Sequence, residues 1–228
     1  MPSAAVRAFL QEAAEVLAPA ASARLPARIL REAVDMVAQG DVLAPALSFR
    51  ISALDRPAAA TLYSGGFRIE APRLLPRTGE LTALACGVAT LGARFEQQVS
   101  GLFADRRRAL ALALDDLGNR CLYVQSRRLQ DRMLLAAEKR GLDLAGELRP
   151  GDPGLALEAQ EAVVQLADGA AIGVTVTRGM LLHPLKSVSM VLGAGKGLPP
   201  VRWSRCDDCR RRATCRIAAR NAELLARA

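Results

Sequence analysis

The chain has 228 residues, 51% of them hydrophobic, and carries 31 Lys and Arg against 23 Asp and Glu for a net charge of +8. That is enough apolar material for one domain with a substantial core, and no run of about 18 uncharged apolar residues reads as a membrane span. Aromatic residues make up only 4%, too few for a single-strand stacking platform, so composition disfavours nucleic acid as a partner.

Lysine occurs only at positions 139, 186 and 196, so the positive charge is almost entirely arginine. The first residues are Ala-rich and interrupted by Gln11, Glu12 and Glu15, unlike a secretory leader. Five cysteines, three of them crowded near the C-terminus, suit a reducing compartment better than a disulfide framework. The expectation is a soluble cytoplasmic protein.

In chain order, residues 3–17 read as a helix, and residues 26–39 as a second, with Pro26 in its first turn and Gly40 as a C-cap. Ile29, Leu30, Ala33, Met36 and Val37 recur there at helical spacing. Leu47, Phe49 and Ile51 alternate with polar residues as in a strand, and Leu62 and residues 67–69 flank Ser64-Gly65-Gly66 as a hairpin. An apolar run over 81–88 leads through Thr90-Leu91-Gly92 into a helix reaching Phe103. Residues 106–140 then stay helical for longer than an ordinary globular helix, which predicts a break near Gly118. Gly141 ends that stretch.

Arg149-Pro150-Gly151-Asp152-Pro153-Gly154 is a loop, and 157–166 a helix. Ile172, Val174 and Val176, then Val188, Met190 and Leu192, alternate as two strands joined by 178–186. Gly193-Ala194-Gly195-Lys196-Gly197 lacks the frame of a phosphate-binding loop and runs into Pro199-Pro200, so it reads as a flexible strand exit. A last helix covers 214–225. Helices mixed with mostly antiparallel strands predict an α+β fold, divided as an N-terminal helical segment (1–44), a core (45–200) and a tail (201–228).

The tail holds the strongest chemical signal, Cys206-x2-Cys209-x5-Cys215, set among Arg205, Arg210, Arg211, Arg212 and Arg216. Three thiolates at this spacing can chelate one metal centre, and neighbouring guanidinium groups favour the thiolate form. Closed zinc sites and the usual iron-sulfur clusters take four protein ligands, so zinc and an iron-sulfur cluster both stay open as occupants. Cys86 and Cys121 read as buried hydrophobes, either of which would have to move to serve as a fourth ligand. His183, the single histidine, precedes Pro184 in a turn and reads as structural. The arginine runs 106–108 and 210–212 read as solvated faces.

The segment 177–189, with Thr177, Pro184, Ser187, Val188 and Ser189, resembles the Thr…Pro-x2-Ser-Val-Ser signature of the activation domain of cobalamin-dependent methionine synthase. Three further stretches agree in order: Thr90-Leu91-Gly92 with Glu96, Leu114-Asp115 with Gly118, and Arg149-Pro150-Gly151. The resemblance spans roughly residues 45–220, and stand-alone members of the family often end in a cysteine triplet.

The resemblance implies a single α+β domain with a mostly antiparallel sheet flanked by helices. It implies a stand-alone reactivation factor that supports reductive methylation of cob(II)alamin with S-adenosylmethionine. The cobalamin would be carried by a partner module, most simply that of a split methionine synthase, and a flavodoxin-like or ferredoxin-like donor would supply the electron. The binding residues it implies are Arg149 for the methionyl carboxylate, Gly151 for close backbone approach, Asp152, which stands where the family has a tyrosine, and Ser187 and Ser189. Asp152 would hydrogen-bond a ribose or cap its own turn. The alternative is a metal-binding adaptor or nucleic-acid-binding module without catalytic activity, or the same fold acting as a corrinoid-protein chaperone.

Overall fold

The computed structural model describes residues 4–16, 25–39 and 41–198. Two helices, α1 (Ala4–Val16) and α2 (Ala27–Gln39), precede strand β1 (Ala46–Ala53) and the hairpin of β2 (Thr61–Ser64) and β3 (Phe67–Glu70). Then follow β4 (Glu80–Thr90), α3 (Ala93–Ala104), α4 (Arg108–Glu138), β5 (Asp143–Leu148) and α5 (Gln160–Leu166). The short pair β6 (Thr175–Val176) and β7 (Leu182–His183) leads into β8 (Ser187–Lys196). The main sheet runs β1-β4-β8-β5, and every pairing in it is antiparallel. This is a mixed α+β domain.

The central strand β4 explains the layering. On one face Leu84, Cys86 and Val88 join Val163 and Val164 of α5 and Leu62 and Ile69 of the hairpin. On the other face the side chains are small: Ala85 and Ala89 lie against Leu129 and Met133 of α4, and a Cβ on Gly87 would come within 2.8 Å of Met133 Sδ. Small residues at period two let the helix settle close on the sheet. The first half of α4 leaves the sheet, and there Leu110, Leu114, Cys121 and Val124 pack with Phe9, Val37 and Phe95 of the other helices.

That double duty corrects the expected break near Gly118. Helix α4 is continuous over 31 residues, because one half is fixed by the helical cluster and the other by the sheet. Gly118 is glycine for space: an added Cβ would lie 2.7 Å from Phe95 Cζ and nearer still to Cε1.

One strand goes unread in the sequence, and two further expectations need correction. Strand β5 has no readable alternation, since Gly146 at φ 69 sits where the register slips between Ala145 and Leu148, a bulge that breaks the period of two. Ile172 ends a 3-10 turn over Gly169–Ile172 instead of starting a strand, and only Thr175 and Val176 pair, with His183 and Leu182. Gly193 and Gly195 are no flexible exit but part of β8, which ends at Lys196. A Cβ on Gly195 would collide with the carbonyl of Glu80 across the pair, 2.8 Å from its carbon. The helix at 214–225 and the cysteine tail lie outside the described residues.

Candidate functional site

Three of the four signature stretches close on the end of the sheet where β4 stops and β8 begins. Thr90 pairs in register with Ser187 and is 1% exposed. Its hydroxyl receives bonds from Ser187 Oγ at 2.8 Å and the Gly92 amide at 3.0 Å, and it donates to the Lys186 carbonyl at 3.4 Å. The same carbonyl accepts from Leu91 N at 2.9 Å. A buried hydroxyl that saturates in this way fixes the strand end, because an unmatched polar group there would cost about 1–3 kcal/mol.

Lys186 turns the other way, toward α4. Its Nζ lies 2.7 Å from Asp115 Oδ1 and 2.7 Å from Asn119 Oδ1. From α3, Glu96 Oε2 accepts from the Leu185 amide at 2.9 Å and stands 3.9 Å from His183 Nδ1. Upstream, Thr177 Oγ1 accepts from Leu181 N at 3.1 Å, and Met180 takes a left-handed conformation at φ 59. The loop between β6 and β8 is thus pinned by polar groups while presenting Leu181 and Leu185, 58% and 59% exposed, to solvent. Large apolar side chains held out on a braced loop suit contact with another surface.

The fourth stretch follows β5. Arg149 Nη2 and Nε lie 2.9 and 3.1 Å from Glu147 Oε1, and Nη2 reaches Ser126 Oγ of α4 at 3.2 Å. Gln130, also on α4, donates to the other oxygen of Glu147. The guanidinium expected to meet a ligand carboxylate is therefore already paired with an internal one, both side chains being only 20% and 16% exposed. Asp152 Oδ2 accepts from the Arg149 amide at 3.0 Å and so caps its own turn. Gly151, at φ 91, donates to the Leu155 carbonyl at 2.9 Å.

Ser187 belongs to the Thr90 cluster. Ser189 does not: it points to the α5 side, where Gln160 Nε2 donates to its hydroxyl at 2.8 Å in a buried bond. The expected binding residues thus fall in three places, Ser187 in the Thr90 cluster, Ser189 under α5 and the 149–152 loop, and α4 links the turn before Ser187 to that loop. Asn119, which holds Lys186, and Ser126, which holds Arg149, are seven residues apart on one helix face, about 10 Å along the axis. Facing them, β5 ends with Leu148 opposite Val191. Among the described residues, β8 from Ser187 to Met190 therefore has no strand on that side. The result is a strip of strand edge unpaired on that side, lying between the two braced loops, with Ser189 and Met190 themselves buried.

The sequence reading did not single out Asn119, Ser126, Gln130 or Glu147. The signal available was the spacing of the polar positions 119, 126 and 130, steps of 7 and 4 that return to one face of a helix.

Cys206, Cys209 and Cys215 lie outside the described residues. Among those described, no group of three or more His, Cys, Asp or Glu is placed to hold a metal ion, and no helix is long and apolar enough to cross a membrane. Cys86 and Cys121 are buried, and burial pushes both thiols up to about 12, with Arg120 pulling Cys121 weakly the other way. Below that value each stays a neutral thiol, and only the thiolate is nucleophilic. At pH 8 a maleimide should therefore leave these two cysteines unlabelled in the native protein and modify them once it is unfolded, as peptide mass spectrometry would show.

No family model matches the chain, and no curated protein matches it in sequence. Among solved structures it is similar to the crystal structure of the MetH reactivation domain bound to AdoHcy. The TM-score is 0.51 at 14% sequence identity, over 84% of this chain and 74% of that one. At that identity the likeness is one of fold.

Proposed function

We propose that the chain is a stand-alone reactivation module for a cobalamin-dependent methyltransferase, in the simplest case a split methionine synthase, and that it binds S-adenosylmethionine. The observation that carries this reading is the convergence of Thr90, Glu96, Asp115 and the 177–189 segment on one end of the sheet. The Arg149 loop reaches the same strip through α4. The shared fold with a domain whose structure holds AdoHcy supports it.

In this reading the partner module brings the cobalamin, and S-adenosylmethionine supplies the methyl group. One electron from an external donor completes the reductive methylation, and S-adenosylhomocysteine leaves. The chain itself contributes position. The strip beside β8 and the 149–155 loop hold the nucleoside ligand, and Leu181 and Leu185 meet the incoming partner. Holding two reactants in register removes much of the entropic cost of their encounter. The donor is a flavodoxin-like or ferredoxin-like protein, and Cys206, Cys209 and Cys215 hold zinc or an iron-sulfur cluster. With a cluster there, the tail itself relays the electron.

Calorimetric titration with AdoHcy tests the reading. Binding with a dissociation constant of about 1–100 μM, near −8.2 to −5.5 kcal/mol, is the expected result. No heat with millimolar ligand, together with salt-dependent binding to RNA or DNA, would sink it in favour of a nucleic-acid adaptor.

A further inference from the structure

The start of α4 gathers more positive charge than its neighbours offset. A cleft of about 420 Å³ between α2 and the turn joining α3 to α4 is lined by Arg28, Glu32, Arg106, Arg107 and Arg108. Glu32 pairs with Arg107, and the first turn of α4 holds no acidic residue. Among the described residues no carboxylate pairs with Arg28, Arg106 or Arg108, whereas Arg50, Arg94, Arg120 and Arg128 each have one. The cleft thus holds three guanidinium groups in excess, and like charges gathered in one place repel.

The backbone makes the gathering possible. Successive side chains diverge by about 100° on a helix and alternate on a strand, so three neighbouring arginines line one cleft only where the chain turns. Arg106 supplies that turn. It is left-handed at φ 60, with its amide donating to the Phe103 carbonyl at 3.1 Å and that of Arg107 to the Leu102 carbonyl at 2.9 Å. Glycine would hold this conformation without steric cost, yet arginine stands there.

We propose that this cleft binds a pyrophosphate group, free or at the end of a nucleoside diphosphate. A guanidinium offers a planar fork of donors that meets phosphate oxygens two at a time. Two linked phosphates carry about three negative charges, which the three excess cations balance. The volume lies within the range of small-ligand sites, about 300–1,000 Å³. The site is separate from the adenosyl-ligand reading and does not rest on it: Arg108 stands seven residues before Asp115, the Lys186 partner, about 10 Å away along the helix axis.

Calorimetry on the full chain, with inorganic pyrophosphate and ADP as probes, tests the site. A dissociation constant of about 10–100 μM is expected, and Arg28→Gln or Arg108→Gln should each weaken binding about tenfold. Arg77→Gln makes the same charge change at an exposed arginine outside the cleft and should stay within about twofold of wild type. Arg106→Gly separates the site from the scaffold. It should keep the thermal midpoint or raise it by up to about 2 °C and still weaken pyrophosphate binding about tenfold. ADP that binds more tightly than pyrophosphate assigns the cleft to a nucleoside diphosphate; ADP that does not assigns it to the free anion. No heat with either probe at millimolar concentration overturns the site. A loss in Arg77→Gln as large as in Arg28→Gln does the same, since it marks a response to net charge alone, as does Arg106→Gly with wild-type affinity. Arginine-dependent binding of an RNA oligonucleotide or an acidic peptide, with none of pyrophosphate or ADP, overturns it in favour of a macromolecular partner.

Discussion

Gly195→Ala is expected to lower stability by about 3 kcal/mol or more, seen as a fall of about 10 °C in the thermal midpoint for a chain of this size. Gly195 pairs with Leu81 where β8 crosses the start of β4, and its missing side chain leaves room for the Glu80 carbonyl. The obstacle is backbone in the middle of the sheet, so neither strand can yield without losing its ladder. Gly193 is tight for a softer reason, since a Cβ there would meet Leu81 Cδ1 at 2.7 Å, the end of a side chain that can turn. Gly193→Ala should therefore cost less than Gly195→Ala. Gly101, within α3 with nothing inside 4 Å of an added Cβ, is the control: Gly101→Ala should stabilise by up to about 1 kcal/mol, because alanine loses less backbone freedom in a helix. A Gly195→Ala protein that melts within about 2 °C of wild type would show that the two strands do not cross so closely.

The same segment shows what a single sequence reveals and what it hides. Period carried the reading wherever one face met one core: α2 with Ala33 and Val37, β1 with Leu47, Phe49 and Ile51, and the hairpin around Gly65. It failed where an element met two environments or none. Helix α4 changes partners halfway, so its apolar stripe rotates and its length looks excessive. Strand β5 is bulged at Gly146, and Gly195 of β8 is there for a neighbour's backbone that no local pattern announces. The residues of the candidate site were partly legible because motif residues keep fixed spacing. Their supports were not. Lys186 meets Asn119 across 67 positions, and Thr90 meets Ser187 across 97, and pairing over such separations exists only once the sheet has formed.

Arg149 is where that hidden layer most alters the functional argument. A spacing argument offers its guanidinium to a ligand carboxylate, while the fold has already given one edge of it to Glu147. Arg149→Met removes the cation and leaves the Glu147 carboxylate, 16% exposed, against Gln130 and an apolar neighbour. Stripping one partner from a poorly solvated pair leaves an uncompensated charge, which should cost about 2–4 kcal/mol here. Glu147→Gln keeps an acceptor for Arg149 and should cost about 1 kcal/mol. If the pair is an internal one, Arg149→Met with Glu147→Leu should regain most of the loss and melt within about 1 kcal/mol of wild type, a coupling of the size expected for residues in direct contact. Ligand binding separates the two roles of the arginine. If Arg149 also meets the amino-acid end of AdoHcy, as in the function proposed above, the double variant, restored in stability, should stay about tenfold weaker in calorimetry, while Glu147→Gln, which keeps the cation, should bind about as tightly as wild type or tighter. A double variant that recovers stability and affinity together would reduce Arg149 to a brace for β5.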